Sequence, residues 1–201
     1  MYTKFDGDDE DTPKKDDEAQ ASGRVDNLFF KSRNVIIAGE INDKLAQRAV
    51  THLFALAEES DDPINVFISS PGGHVESGDM VHDVIKFIRP MVRTIGSGWV
   101  ASAGALIFVG AQKENRYCLP NTRFLLHQPS GGIRGQVSDL MIQAEQIRIM
   151  SERFHKLFAE ATGQTQERIA EDTQSDFWLK AHEAKDYGLV GKIISTVDEL
   201  G

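Results

Sequence analysis

Apolar residues along this chain follow two rhythms, and the changes between them mark the predicted elements. Val35-Ile36-Ile37 is a short buried strand ending at Gly39. Asn42 or Asp43 caps a helix reaching about Glu59, with Leu45, Ala49, Leu53 and Leu56 along one face. Ile64 to Ile68 forms a strand that runs into Ser69-Ser70-Pro71-Gly72-Gly73. From Ser77 the helical period returns in Met80, Val81, Val84, Ile85 and Ile88, and Pro90 stops it. Val92 to Ile95 is the next strand, Gly96-Ser97-Gly98 a loop, and Ser102 to Ala111 a helix of small residues. Two short strands, Arg116 to Leu119 and Arg123 to Leu126, flank a turn at Pro120-Asn121.

The longest helical pattern covers 138–162. Leu140, Ala144, Ile147, Phe154, Phe158 and Ala161 form its stripe, expected to pack inward, while Ile142, Ile149 and Met150 lie off it. Apolar residues on two faces of so long a helix suit burial against another subunit. Gly163 ends it. A short helix near Glu167–Glu171, another over Ala181–Tyr187 closed by Gly188, and a strand from Leu189 to Ser195 complete the pattern. Strands alternating with helices predict an α/β fold.

Residues 1–27 break from both rhythms. They hold nine acids against four bases and almost no large apolar groups, so they are expected to be a disordered acidic tail ahead of one domain over 28–201. The chain of 201 residues carries a net charge of −9, which disfavours nucleic acid and anionic membranes as partners. No signal-peptide layout opens it, and its longest apolar run, Trp99 to Ala111, is short of the roughly 20 residues that span a bilayer. A single cysteine, Cys118, excludes an internal disulfide and a multi-cysteine zinc site. These features point to a cytoplasmic protein.

The residues alone raise three possible chemistries. Pro71-Gly72-Gly73 follows a strand, but no Lys-Ser/Thr succeeds it as a phosphate loop needs. The glycine pair instead lets backbone approach a ligand and aim N–H groups at it. The six histidines show no H-x-x-x-H spacing, which disfavours a metal, and His74 and His82 read as surface or lining residues. Nucleophilic catalysis is the informative case. Ser102, in Gly98-Trp99-Val100-Ala101-Ser102-Ala103-Gly104, sits between a strand and a helix of small residues. It is either a helix cap or a serine with room for a substrate carbonyl beside a helix N-terminus. The first glycine of G-x-S-x-G is missing, so the α/β-hydrolase elbow motif is unmatched. A nucleophilic serine needs a base. His127 ends an apolar strand, and Asp176 reads as a helix cap or turn residue; spacing does not establish that the three meet.

The motifs taken together resemble the proteolytic subunit of the Clp-type ATP-dependent serine proteases, from about Leu28 to Ile194. Ser69-Ser70-Pro71-Gly72-Gly73 is similar to that family's S-P-G-G loop, and Ala101-Ser102-Ala103-Gly104-Ala105 to its nucleophile motif. Arg116-Tyr117-Cys118-Leu119-Pro120-Asn121, Leu126-His127-Gln128-Pro129 with Gly131-Gly132, and Asp172-Thr173 followed by Asp176 continue the match in order. So do Glu183-Ala184 and Tyr187-Gly188-Leu189-Val190. The resemblance implies a crotonase-like α/β fold of stacked ββα turns, with 138–162 as a handle helix. It implies a serine endopeptidase with Ser102 as nucleophile, His127 as base and Asp176 as third member. The oxyanion hole would be the backbone N–H groups of Gly73 and Ala103. It further implies no cofactor, two stacked seven-membered rings, a partner ATPase and unfolded protein substrates. Trp99, Val100 and Ser175 depart from the family pattern; Ser175 stands where an arginine often bonds across the ring interface, which implies a weaker ring–ring contact.

Overall fold

A computed structural model describes residues 25, 27–128 and 136–200, with only the backbone at 137 and 138. The acidic tail up to residue 24 and the Pro129 and Gly131-Gly132 motif positions lie outside the described residues. The elements are β1 (Asn34–Ala38), α1 (Asp43–Glu59), β2 (Ile64–Ser70), α2 (Val75–Phe87), β3 (Val92–Ala101) and α3 (Ala103–Phe108). They continue as β4 (Arg116–Cys118), β5 (Arg123–Leu126), α4 (Val137–Thr162), α5 (Gln166–Asp172), β6 (Phe177–Lys180), α6 (Ala181–Asp186) and β7 (Lys192–Ile193). The strands make one sheet in the order β1-β2-β3-β4-β7, and β5 joins β3 on one side and β6 on the other. Every pairing is parallel except β5 with β6. Parallel neighbours need crossovers, and α1 and α2 supply them.

Alternation along β2 shows how the sheet is seated. Ile64, Val66, Ile68 and Ser70 are fully buried while the residues between them are partly exposed. The buried face packs with Leu53 and Leu56 of α1, Val81 and Ile85 of α2, and Ile107 and Phe108 of α3 in one core. Asn42 caps α1 as expected, its side chain accepting from the Leu45 N–H at 3.0 Å. The second helix starts at Val75 rather than Ser77, with His74 in the cap position.

The largest departure from the sequence pattern is β3. The expected loop at Gly96-Ser97-Gly98 is part of a ten-residue strand. Ile68 pairs with Gly96 and Ser70 with Val100, so two steps of β2 face four of β3. The surplus is absorbed as a bulge at Gly98, whose φ is +66°. The bulge re-aims the strand. Before it, Thr94 to Gly96 pair with β4; after it, Trp99 to Ala101 pair with β5. Gly96 is glycine for a packing reason: a Cβ there would sit 3.1 Å from Val100 and 3.2 Å from Thr122.

Helix α4 is as long as expected and ends at Gly163, whose φ of 80° gives the left-handed cap. Its packing corrects the expected stripe. Phe158 is fully buried and Phe154 and Leu157 pack on the core, but Ala144 is exposed and Leu140 and Ile147 only half-buried. Met141 (72% exposed), Ile142 (63%) and Ile149 (45%) are open, so the first half of the helix stands clear of its own domain. The predicted strand at Leu189–Ser195 shrinks to Lys192–Ile193. The helix at Ala181 ends one residue early, at Asp186.

Candidate active site

The turn that carries Ser102 is built by its neighbours. β3 ends at Ala101 and α3 begins at Ala103, so one residue reverses the chain. Ser102 does this at φ 53°, ψ −120°, a region L-residues rarely occupy. Its N–H donates to the Leu125 carbonyl of β5 at 2.9 Å, and its carbonyl accepts from Leu106 N–H at 3.0 Å. The side chain makes no capping hydrogen bond, although the residue stands in the cap position. The ordinary role of a serine there is therefore unfilled, and the hydroxyl stays available.

The strand–turn–helix geometry is that of a nucleophile elbow without its sequence motif. Val100 stands where that motif has glycine, and Gly96 beneath it gives up the space. Gly104 supplies the other small neighbour, where a Cβ would lie 3.2 Å from the Ser70 Cβ. On the open side, a Cβ on Gly72 (φ +95°) would be 2.6 Å from the Ser102 Cβ and 3.2 Å from Ala103 N. Only glycine permits this approach.

Gly73, at φ +145°, lies one step further and is exposed. A Cβ on it would run into the Ile41 carbonyl. The loop is stitched down by Ile41 N–H to the Gly72 carbonyl (2.8 Å) and His74 N–H to the Ile41 carbonyl (2.9 Å). Ala103 is the first residue of α3, and a helix cannot satisfy its first N–H groups internally.

His74 and its partners hold this loop from outside, a feature the sequence pattern did not reveal. Its Nδ1 is 2.8 Å from Ser77 Oγ and 3.2 Å from Asp43 Oδ1, and Ser77 donates to Asp43 at 2.6 Å. The Ser77 hydrogen bond, then the His74 charge, hold the Asp43 carboxyl below its ordinary range. Ser77 is buried and bonded directly to a carboxylate, so this Ser, His and Asp set is a fastening. His82, expected at the surface or as lining, is buried; its Nδ1–H donates to the Leu106 carbonyl at 2.8 Å and ties α2 to α3. Burial lowers its pKa, opposed by that hydrogen bond.

His127 follows the last residue of β5, and it lines the same pocket as Ser102 and Ala103. Its Nδ1 lies 2.8 Å from the Gln128 carbonyl. A carbonyl only accepts, so Nδ1 carries a proton, and the tautomer this selects for the neutral ring has its lone pair on Nε2. Asp176 immediately precedes β6, a strand the sequence reading missed because four residues after a turn carry no period. The antiparallel β5–β6 register ends at Leu126↔Phe177, one residue before His127 on one strand and one after Asp176 on the other. Asp176 is exposed, and His127 Nδ1 is bonded to Gln128 rather than to it. Ser102 and His127 are therefore brought to one pocket, and Asp176, outside the lining of that pocket, makes no hydrogen bond to His127. Among the described residues there is no cluster of His, Cys, Asp or Glu suited to a metal. Cys118 is buried, and burial pushes its thiol up to about 12.

Fold and turn together define a class: a parallel α/β protein that raises a serine on a strained strand-to-helix turn beside a pair of glycines. The chain belongs to the Clp protease family, whose model matches residues 17–197. A Paracoccus denitrificans ATP-dependent Clp protease proteolytic subunit is 74% identical over 166 residues, 83% of each chain. The Rhizobium meliloti ATP-dependent Clp protease proteolytic subunit 3 is 56% identical over 192 residues, 96% of this chain and 98% of its own. The solved structure of ClpP1 from Listeria monocytogenes superposes with a TM-score of 0.81 at 49% identity, covering 88% of this chain and 99% of that one.

Proposed function

We propose that this chain is the proteolytic subunit of a Clp-type ATP-dependent protease, a serine endopeptidase that cleaves unfolded polypeptides inside an oligomeric chamber. The observation that carries the reading is Ser102, strained at φ 53° with its side chain unused as a cap, in one pocket with His127. Nε2 of His127 takes the Ser102 proton as Oγ attacks the peptide carbonyl. The oxyanion is held by the N–H groups of Gly73 and Ala103, which flank the close approach of Gly72 to the serine. The imidazolium then gives its Nε2 proton to the leaving amine. Water, deprotonated by the same nitrogen, releases the acyl group and restores Ser102.

Asp176, the residue before β6, accepts Nδ1–H when His127 turns from the Gln128 carbonyl. Its carboxylate stabilises the imidazolium better than a neutral carbonyl does. The chain would work in the cytoplasm with no cofactor of its own, in two stacked seven-membered rings as the family resemblance implies, fed by a separate ATPase. Among the described residues no helix is long and apolar enough to cross a membrane.

The test is hydrolysis of a short fluorogenic peptide by Ser102→Ala. A fall of about 10⁴-fold or more in kcat/KM with assembly unchanged is expected. Turnover near the wild-type rate would remove Ser102 from the reaction.

A further inference from the structure

The pocket beside Ser102 has an apolar wall and one charged pair. Val75, Leu106, Met150, Phe154 and Leu157 give the apolar surface. Asp79 of α2 and Arg153 of α4 line the same pocket. They form a two-pronged ion pair: Nη1 donates to Oδ2 at 2.7 Å and Nη2 donates to Oδ1. The Asp79 side chain is 15% exposed and that of Arg153 50%, so the carboxylate is largely withdrawn from water and the guanidinium partly so. Asp79 sits at its place because Gly78 lets α2 close on α3; a Cβ at 78 would lie 3.1 Å from the Ala103 Cβ.

Neither charge is required by the chemistry assigned to Ser102 and His127, and an apolar substrate side chain would be served by an apolar residue at either position. Burying a charge beside a site is costly unless it is paired. The arrangement makes sense if the two charges cancel one another where a substrate side chain is received. Resting on the function proposed above, we infer that Asp79 and Arg153 set the charge selectivity of the subsite that takes the side chain of the residue acylating Ser102. While paired, they leave the subsite net neutral, and it admits uncharged side chains and rejects carboxylates and ammonium groups. Removing Asp79 leaves Arg153 as a cation facing the substrate, and the subsite then recruits an acidic side chain. Removing Arg153 leaves a carboxylate, and the subsite then recruits a basic one. A planar guanidinium matches a carboxylate in the two-pronged geometry it already uses with Asp79.

The experiment uses the full-length protein and three peptides that differ only in the residue before the scissile bond, Leu, Glu or Lys. The kcat/KM ratios Glu:Leu and Lys:Leu are measured for wild type, Asp79→Asn and Arg153→Gln. Asp79→Asn is expected to raise the Glu:Leu ratio by about tenfold or more, and Arg153→Gln to raise the Lys:Leu ratio by a similar factor. The pair also ties α2 to α4, and loss of that tie alone would lower all three rates together and leave both ratios unmoved. Unmoved ratios in variants that still cleave the Leu peptide overturn the inference. A variant that loses cleavage of all three peptides is read by the other variant, whose opposite shift stands on its own; loss in both overturns the inference in favour of a purely structural tie. If wild type cleaves none of the peptides, the endopeptidase reading itself fails, a result distinct from unmoved ratios.

Discussion

At the scale of single residues, the site depends on a strained serine whose neighbours are small where they must be. Val100 over Gly96 reverses the usual placement of bulk and space in a nucleophile elbow, and this explains how the turn forms without the G-x-S-x-G motif. The serine was legible in the sequence as a candidate from its small neighbours between a strand and a helix, and the histidine from its place at the end of an apolar strand. Their meeting was not legible, since it depends on a bulge that turns β3 from β4 to β5. The His127 tautomer is held by the Gln128 carbonyl at 2.8 Å, independently of Asp176. Asp176→Asn should therefore lower kcat by about 10²-fold, clearly less than Ser102→Ala, since charge stabilisation is lost but the tautomer is kept. Single-turnover rates on the same peptide check this. A loss equal to that of Ser102→Ala would show that the carbonyl does not hold the ring, and no loss would take Asp176 out of the site.

Among the elements, two helices matter beyond packing. Helix α2 reaches α3 through the buried His82, whose pKa is lowered chiefly by burial. The unfolded chain therefore takes up a proton at this residue before the folded one does. Stability contributed by the neutral ring is present above the unfolded value, near pH ~6.5, and falls as pH drops below it. Thermal unfolding between pH 8 and pH 5 should show Tm falling through that window, with a shallower fall for His82→Asn. Parallel slopes for the two proteins would assign the acid sensitivity elsewhere. Helix α4 shows what periodicity can and cannot say. Its length and its Gly163 stop were readable, because both are local. Which face is buried was not, because the inner stripe packs only from Phe154 onward and the first half leaves the domain. The misread loop at Gly96-Ser97-Gly98 and the missed strand β6 have the same origin: pairing with distant strands overrode local glycine and turn signals. Met141→Asp combined with Ile142→Asp should leave the domain folded but split the assembly, since 72% and 63% exposed apolar side chains mark an interface. Light scattering and circular dichroism together test this; an unchanged oligomer would place the interface elsewhere.

For the molecule as a whole, one sheet, parallel except where β5 meets β6, carries the proposed site residues at the ends of different strands. β2 leads into the glycine pair, β3 into the serine and β5 into the histidine, while the proposed third member, Asp176, stands just before β6. Family membership and the solved relative agree with this architecture over nearly the whole chain. The proposed role of Ser102 as nucleophile is tested by reaction with a serine-directed fluorophosphonate followed by peptide mapping. A phosphonate on Ser102 is expected, abolished in Ser102→Ala and slowed in His127→Ala. An unmodified Ser102 peptide, or a label on Ser77 or another serine in its place, would contradict it.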